Sequence, residues 1–126
     1  FLLIFLFLIK EFDLLKRLAF GLILIYAITI LIRTFYFKER PNKFSYNNYI
    51  ERLDASSFPS LHASRITFLS ISLMDYFKNI YLYFGLGILA ILVCYSRIYL
   101  KKHDFKDVIA GIVFGVVVYF LVNYLL

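Results

Sequence analysis

Charged and amide residues fall in clusters that separate long apolar runs. Phe1 to Ile9 is apolar but too short to cross a bilayer, and it reads as the tail of a truncated helix. No small-residue cleavage site follows it, as a signal peptide would require. After a polar break from Lys10 to Arg17, the run Leu18 to Ile32, ended by Arg33, is long enough to span with modest mismatch. Ala63 to Phe77 carries Ser64, Arg65, Thr67 and Ser70, which predicts a short helix enclosed by its neighbours. Ile80 to Tyr95, closed by Ser96-Arg97, and Val108 to Leu126, interrupted by Asn123, are two further spans. The expected fold is all-α: a polytopic transmembrane helix bundle of about five spans, the first of them truncated.

Composition supports this reading. In 126 residues, 63% are apolar, and the mean hydropathy is +0.83, outside the range of soluble domains. The formal charge of +6 must then sit on the loops, because Lys and Arg are costly at mid-bilayer unless paired or hydrated. Basic loops at a membrane favour lipid head groups and phosphate esters; nucleic acid would need a soluble basic face that is missing. The single cysteine, Cys94, lies in an apolar run and excludes a disulfide or a Cys-based metal site. His62 and His103 are too far apart for a helical His-x-x-x-His metal pair.

Two polar segments remain. Thr34 to Leu61 is the only long loop and holds both prolines, Pro41 and Pro59; Ile98 to Asp107 holds three lysines, a histidine and two aspartates. Counting spans alternately puts both on the same side of the membrane. The expectation is that Arg33 ends one helix, Ser60 and His62 begin the next, Arg97 ends a third, and His103 and Asp107 begin the fourth.

Helical phase adds detail. Ser60, Ser64 and Thr67, continued by Ser70 or Ile71, form a stripe of small residues that lets helices approach closely. His103, Asp107, Gly111 and Gly115 lie at i+4 steps, so they share one stripe if the helix extends back to His103. Its glycine end should face another helix, which turns Asp107 inward.

The convergent residues suit phosphate chemistry. The start of the Pro59-Ser60-Leu61-His62 helix offers backbone N–H groups to an oxyanion, with Ser60 either capping the helix or binding the anion. Arg33, Arg40 and Arg97 add guanidinium forks that match phosphate oxygens. Asp107 can fix one ring nitrogen of His103, leaving the other to attack phosphorus, while His62 gives a proton to the leaving oxygen. Taken singly, each feature has a bland alternative: a cap, a head-group anchor, or an acidic residue complementing a helix dipole.

Jointly they match a known pattern. Ser96-Arg97, five residues, His103, three residues, Asp107 resembles the third signature, Ser-Arg-x5-His-x3-Asp, of the type 2 phosphatidic acid phosphatase superfamily. Pro59-Ser60-Leu61-His62 is similar to its second, Pro-Ser-Gly-His, and Arg33-x6-Arg40-Pro41 to its first, Lys-x6-Arg-Pro. Two positions depart from it, Arg33 for Lys and Leu61 for Gly. Leu61 keeps a backbone N–H for phosphate, while its side chain is expected to narrow or grease the pocket.

The resemblance implies that His103 forms a phosphohistidine, that Asp107 orients it, and that His62 is the acid for the leaving group. It implies phosphate binding by Arg33, Arg40, Ser60, Leu61 and Arg97, with neither metal nor cofactor. Six spans are usual in the family, so one helix and part of another are expected to be missing from a single phosphatase domain over 1–126. Implied substrates are lipid phosphates or polyprenyl diphosphates. A lipid phosphotransferase with the same site, or a non-catalytic protein binding anionic lipid, are the alternatives.

Sidedness is pulled two ways. Arg33, Lys38, Arg40, Lys43, Arg52, Arg65, Arg97, Lys101, Lys102 and Lys106 lie on the motif side, against Lys10, Lys16, Arg17 and Lys78 opposite, so the positive-inside rule makes the motif face cytoplasmic. The resemblance implies an active site facing outward from the cell membrane, and that is the orientation expected here.

Overall fold

The computed structural model describes residues 4, 8, 12–38, 47–56, 58–100 and 103–126. Among the described residues, the helices with defined bounds run in the order α1 (Phe12–Phe35), α2 (Tyr49–Ala55), α3 (Leu61–Phe77), α4 (Ile80–Tyr99) and α5 (Phe105–Leu125). Three of them, α1, α4 and α5, are long and apolar enough to cross a membrane, whereas α3 has 17 residues. The protein is an all-helical integral membrane protein. Most of the first apolar run lies outside the described residues.

α1 begins six residues before the expected Leu18. Charges at Asp13 and Arg17 do not break it. Arg17 approaches Asp13 at 3.5 Å and donates to Asn123 Oδ1 at 2.6 Å, tying the ends of α1 and α5 together. Leu14, Leu18, Gly21, Ile25, Thr29 and Arg33 are the buried residues of α1, a stripe at i+3 and i+4 steps that turns inward.

α3 occupies the centre and packs against α1, α4 and α5. Its buried residues include Ala63, Ser64, Thr67, Phe68 and Ser70. Facing them are the α5 glycines. A Cβ on Gly111 would lie 2.6 Å from the Ser60 carbonyl oxygen, and one on Gly115 would lie 2.6 Å from that of Ser64. The two stripes of small residues therefore form one seam, where only glycine permits the backbone contact. Gly21 of α1 serves similarly, its missing side chain leaving room for the Phe68 ring. Phe68 belongs to a core with Leu14, Leu18, Ile25, Val118 and Val122.

Lys78 ends α3 in a left-handed conformation (φ 49°), and Asn79 caps α4 by accepting from the amides of Tyr81 and Leu82. α4 continues to Tyr99, past the expected close at Ser96-Arg97, and none of its residues is buried. Exposed Tyr81 and Tyr83 near one end and Tyr95 and Tyr99 near the other form the pair of aromatic belts expected of a lipid-facing helix.

α2 lies within the segment expected to be a loop. Asn48 caps it by accepting from Glu51 N at 2.8 Å, while the Glu51 carboxylate accepts from Asn47 N at 2.8 Å. Two arginines exchange bonds to dock it on α1: Arg33 donates to Leu53 O (3.0 Å), and Arg52 donates to Arg33 O (3.1 Å). Arg52 also lies over the Phe37 ring, and Thr34 shares a 2.5 Å hydrogen bond with Tyr49.

Candidate active site

At one end of the bundle the C-termini of α1 and α4 meet the N-termini of α3 and α5. Ser60 is the N-cap of α3, fully buried, with its hydroxyl accepting from Ala63 N at 3.3 Å. Capping is thus the role the structure gives its side chain. Its own amide donates across to Asp107 O at 3.2 Å, and Ser64 Oγ donates to Ser60 O at 2.9 Å. α3 and α5 are consequently locked in register at the level of Asp107.

α5 starts at Phe105, so His103 sits one residue before the N-cap, Asp104, instead of within the helix. It is nevertheless buried, and its Nδ1 lies 4.0 Å from Asp107 Oδ2. The His103 amide donates to Arg97 O at 3.2 Å, which draws the connection between α4 and α5 back onto the end of α4.

Asp107 is completely buried and has several duties. Asp104 Oδ1 accepts from Asp107 N at 2.9 Å, and Asp107 Oδ2 accepts from Asp104 N at 3.0 Å, a reciprocal capping box. Its other oxygen, Oδ1, accepts from Lys38 Nζ at 2.7 Å, and the same ammonium donates to Asp104 Oδ2 at 2.7 Å. Burial pulls the Lys38 pKa down, but its bonds to Asp104 and Asp107 outweigh this and hold it above the ordinary lysine value. Burial likewise works against ionised Asp104, yet the Lys38 bond and the Asp107 amide hold that carboxyl below its usual range.

Arg33 is buried and donates through Nη2 to Pro59 O at 2.9 Å as well as through Nη1 to Leu53 O. It therefore braces the turn entering α3. Arg97 is half-buried near the end of α4, while the neighbouring Ser96 hydroxyl bonds back to Val93 O within the helix. His62 is half-buried and lines an apolar cavity of about 320 Å³ with Leu22, Tyr26, Arg65, Ile66, Leu69 and Val93. Leu61 packs against the hydrophobic core, so its side chain does not narrow the site as expected. Arg40 lies outside the described residues.

The geometry thus brings His103, Asp107, Ser60, Arg33 and Arg97 to one end of the bundle, with His62 in the first turn of α3 and among the residues lining the cavity between α1, α3 and α4. Lys38 was missed as a site residue. It is 66 and 69 positions from its two carboxylate partners, and no local spacing announces such a contact.

The PAP2 superfamily model matches residues 14–126. The chain belongs to the PAP2 superfamily. Its fold is similar to the crystal structure of LpxE from Aquifex aeolicus, with a TM-score of 0.78 and 26% identity over 98% of this chain and 74% of that one. No curated protein matches it. All the sequence motifs singled out above fall inside the PAP2 match.

Proposed function

We propose that this chain is one membrane-embedded PAP2 domain, and that it hydrolyses a lipid phosphomonoester or a polyprenyl diphosphate through a phosphohistidine. The observation that carries the reading is the buried His103–Asp107 pair where four helix ends of a PAP2 chain meet. With Nδ1 turned toward Asp107, Nε2 is the nucleophile. It forms a P–N bond as the bond from phosphorus to the leaving oxygen breaks, and His62 protonates that oxygen. Water then attacks phosphorus and gives its proton to His62, the P–N bond breaks, and phosphate leaves.

In this reading Arg97, Arg40 and Arg33 hold the equatorial oxygens, with Arg33 also bracing Pro59, and the Ser60 turn and the Leu61 amide complete the cradle. The 4.0 Å separation of His103 and Asp107 is longer than a hydrogen bond and closes as positive charge develops on the ring. Cationic side chains supply the charge stabilisation, so no metal is required. The side chain of Leu61 packs on the core, so it lends no support to a phosphotransferase, which would have to keep water from the phosphohistidine.

Purified protein should release phosphate from members of a lipid phosphate panel in EDTA and be inhibited by vanadate. His103→Ala should lose activity by about a thousandfold or more, in line with removal of a covalent nucleophile. Full activity in that variant would reject the mechanism. An active site facing outward is part of the proposal: a cysteine placed at Asn47 should react with an impermeant reagent in sealed cells, and protection would reverse the orientation.

A further inference from the structure

We propose that Lys38 is a positioning residue of this site: it grips one oxygen of Asp107 and so presents the other to His103. The inference rests on the phosphohistidine reading and assigns a role to a residue at one of the unspecified positions of the first signature, Arg33-x6-Arg40-Pro41.

The geometry is specific. Asp107 is fully buried at the base of α5, and its two oxygens have separate partners. Oδ1 takes Lys38 Nζ at 2.7 Å; Oδ2 takes the Asp104 amide at 3.0 Å and faces His103 Nδ1 at 4.0 Å. Rotation of the carboxylate would break the Lys38 bond and the capping bond together, so the lysine fixes the rotamer that serves His103. Lys38 is itself held. Its backbone amide donates to buried Ser56 Oγ at 3.4 Å, and α2, which Ser56 caps, is docked on α1 by Arg33 and Arg52. The segment after α1 is thereby directed across the bundle to α5.

Electrostatics give the arrangement a second effect. An unneutralised carboxylate beside a buried imidazole favours the protonated ring, which cannot attack phosphorus. The Lys38 ammonium offsets part of that charge and favours the neutral ring. Among the described residues, the other charged or titratable groups at this end include Arg33 on α1, Glu51 and Arg52 on α2, His62 and Arg65 on α3, Arg97 on α4, and Asp104 and Lys106 at the start of α5. Among the described residues, Lys38 is the cation bonded to both α5 carboxylates.

The test uses the purified protein in detergent with a short-chain phosphatidic acid as probe, and follows kcat/KM against pH. Lys38→Met should raise the pH of the acid limb by about one unit, because His103 then binds its proton more tightly. Lys38→Arg should restore most of the wild-type limb. Asp104→Asn keeps an N-cap residue but removes a negative charge, so its limb should move the opposite way, to lower pH. Lys38→Gln, which keeps a polar end but loses the charge, should move the limb as Lys38→Met does, and it decides the matter if Lys38→Met does not fold.

Limbs that stay in place in the folded variants would overturn the assignment. So would a rise in KM and weaker vanadate inhibition with an unmoved limb, which would make Lys38 a direct phosphate ligand. Wild-type activity and its loss in His103→Ala test the parent mechanism separately, so an unmoved limb refutes only the role of Lys38.

Discussion

Helices α3 and α4 are consecutive in the chain, joined by Lys78 and Asn79, yet they occupy opposite environments. α3 is the more polar by sequence and is the central helix, with Ser64, Thr67 and Ser70 buried. α4 is apolar nearly throughout and has no buried residue. In a water-soluble protein the assignment would be reversed. Lipid is as apolar as leucine, so hydrophobicity does not drive α4 inward, whereas small and hydroxyl-bearing side chains reward close contact between backbones. Size and polarity choose the interior here, and the site is built at the end of the helix they choose.

The contrast can be broken most severely at the seam. Gly111→Leu places a side chain against the Ser60 carbonyl, so it should cost about 3 kcal/mol or more and abolish activity by parting Ser60 from Asp107. Thermal unfolding in detergent measures the first effect. Phe68→Ala empties the space beside Gly21 and should cost about 3 kcal/mol, with activity per folded molecule largely kept. A smaller change of opposite sign is expected at Ser70, whose buried hydroxyl has no hydrogen-bond partner among the described residues. Ser70→Ala should stabilise the protein by up to about 1 kcal/mol. Gly85→Leu on α4 meets open space and should change stability by less than about 0.5 kcal/mol. If Gly85→Leu proved as harmful as Gly111→Leu, α4 would not be the outer helix.

How much of this was legible in the sequence depended on whether the deciding contact was periodic. The spacing of Gly111 and Gly115 and the Ser60, Ser64, Thr67 series predicted a close helix pair, and the structure pairs them with each other. Alternating spans likewise placed the two polar segments on one side. Helix starts were harder to read. Charges at Asp13 and Arg17 looked like a break because polarity marks the edge of the lipid and not the end of a helix. α2 is too short for its apolar residues to display a helical period, although Asn48 followed three residues later by Glu51 is a capping pattern that announces a helix start. Leu61 was misplaced because a substitution inside a motif was assumed to face the motif's ligand. Its side chain turns to the core.

The level of the cap carries a consequence for reach. Ser60 lies beside Asp107, and Pro59 beside Arg33, through direct hydrogen bonds, while α1 runs two residues beyond Arg33 and α5 begins two residues before Asp107. Two residues of helix rise about 3 Å. The start of α3 is therefore a recessed floor, rimmed by the ends of its neighbours and by α2. Under the proposed function, a phosphate on a flexible stalk is the kind of substrate that would reach such a floor, whereas one held flush on a rigid surface would stop at the rim.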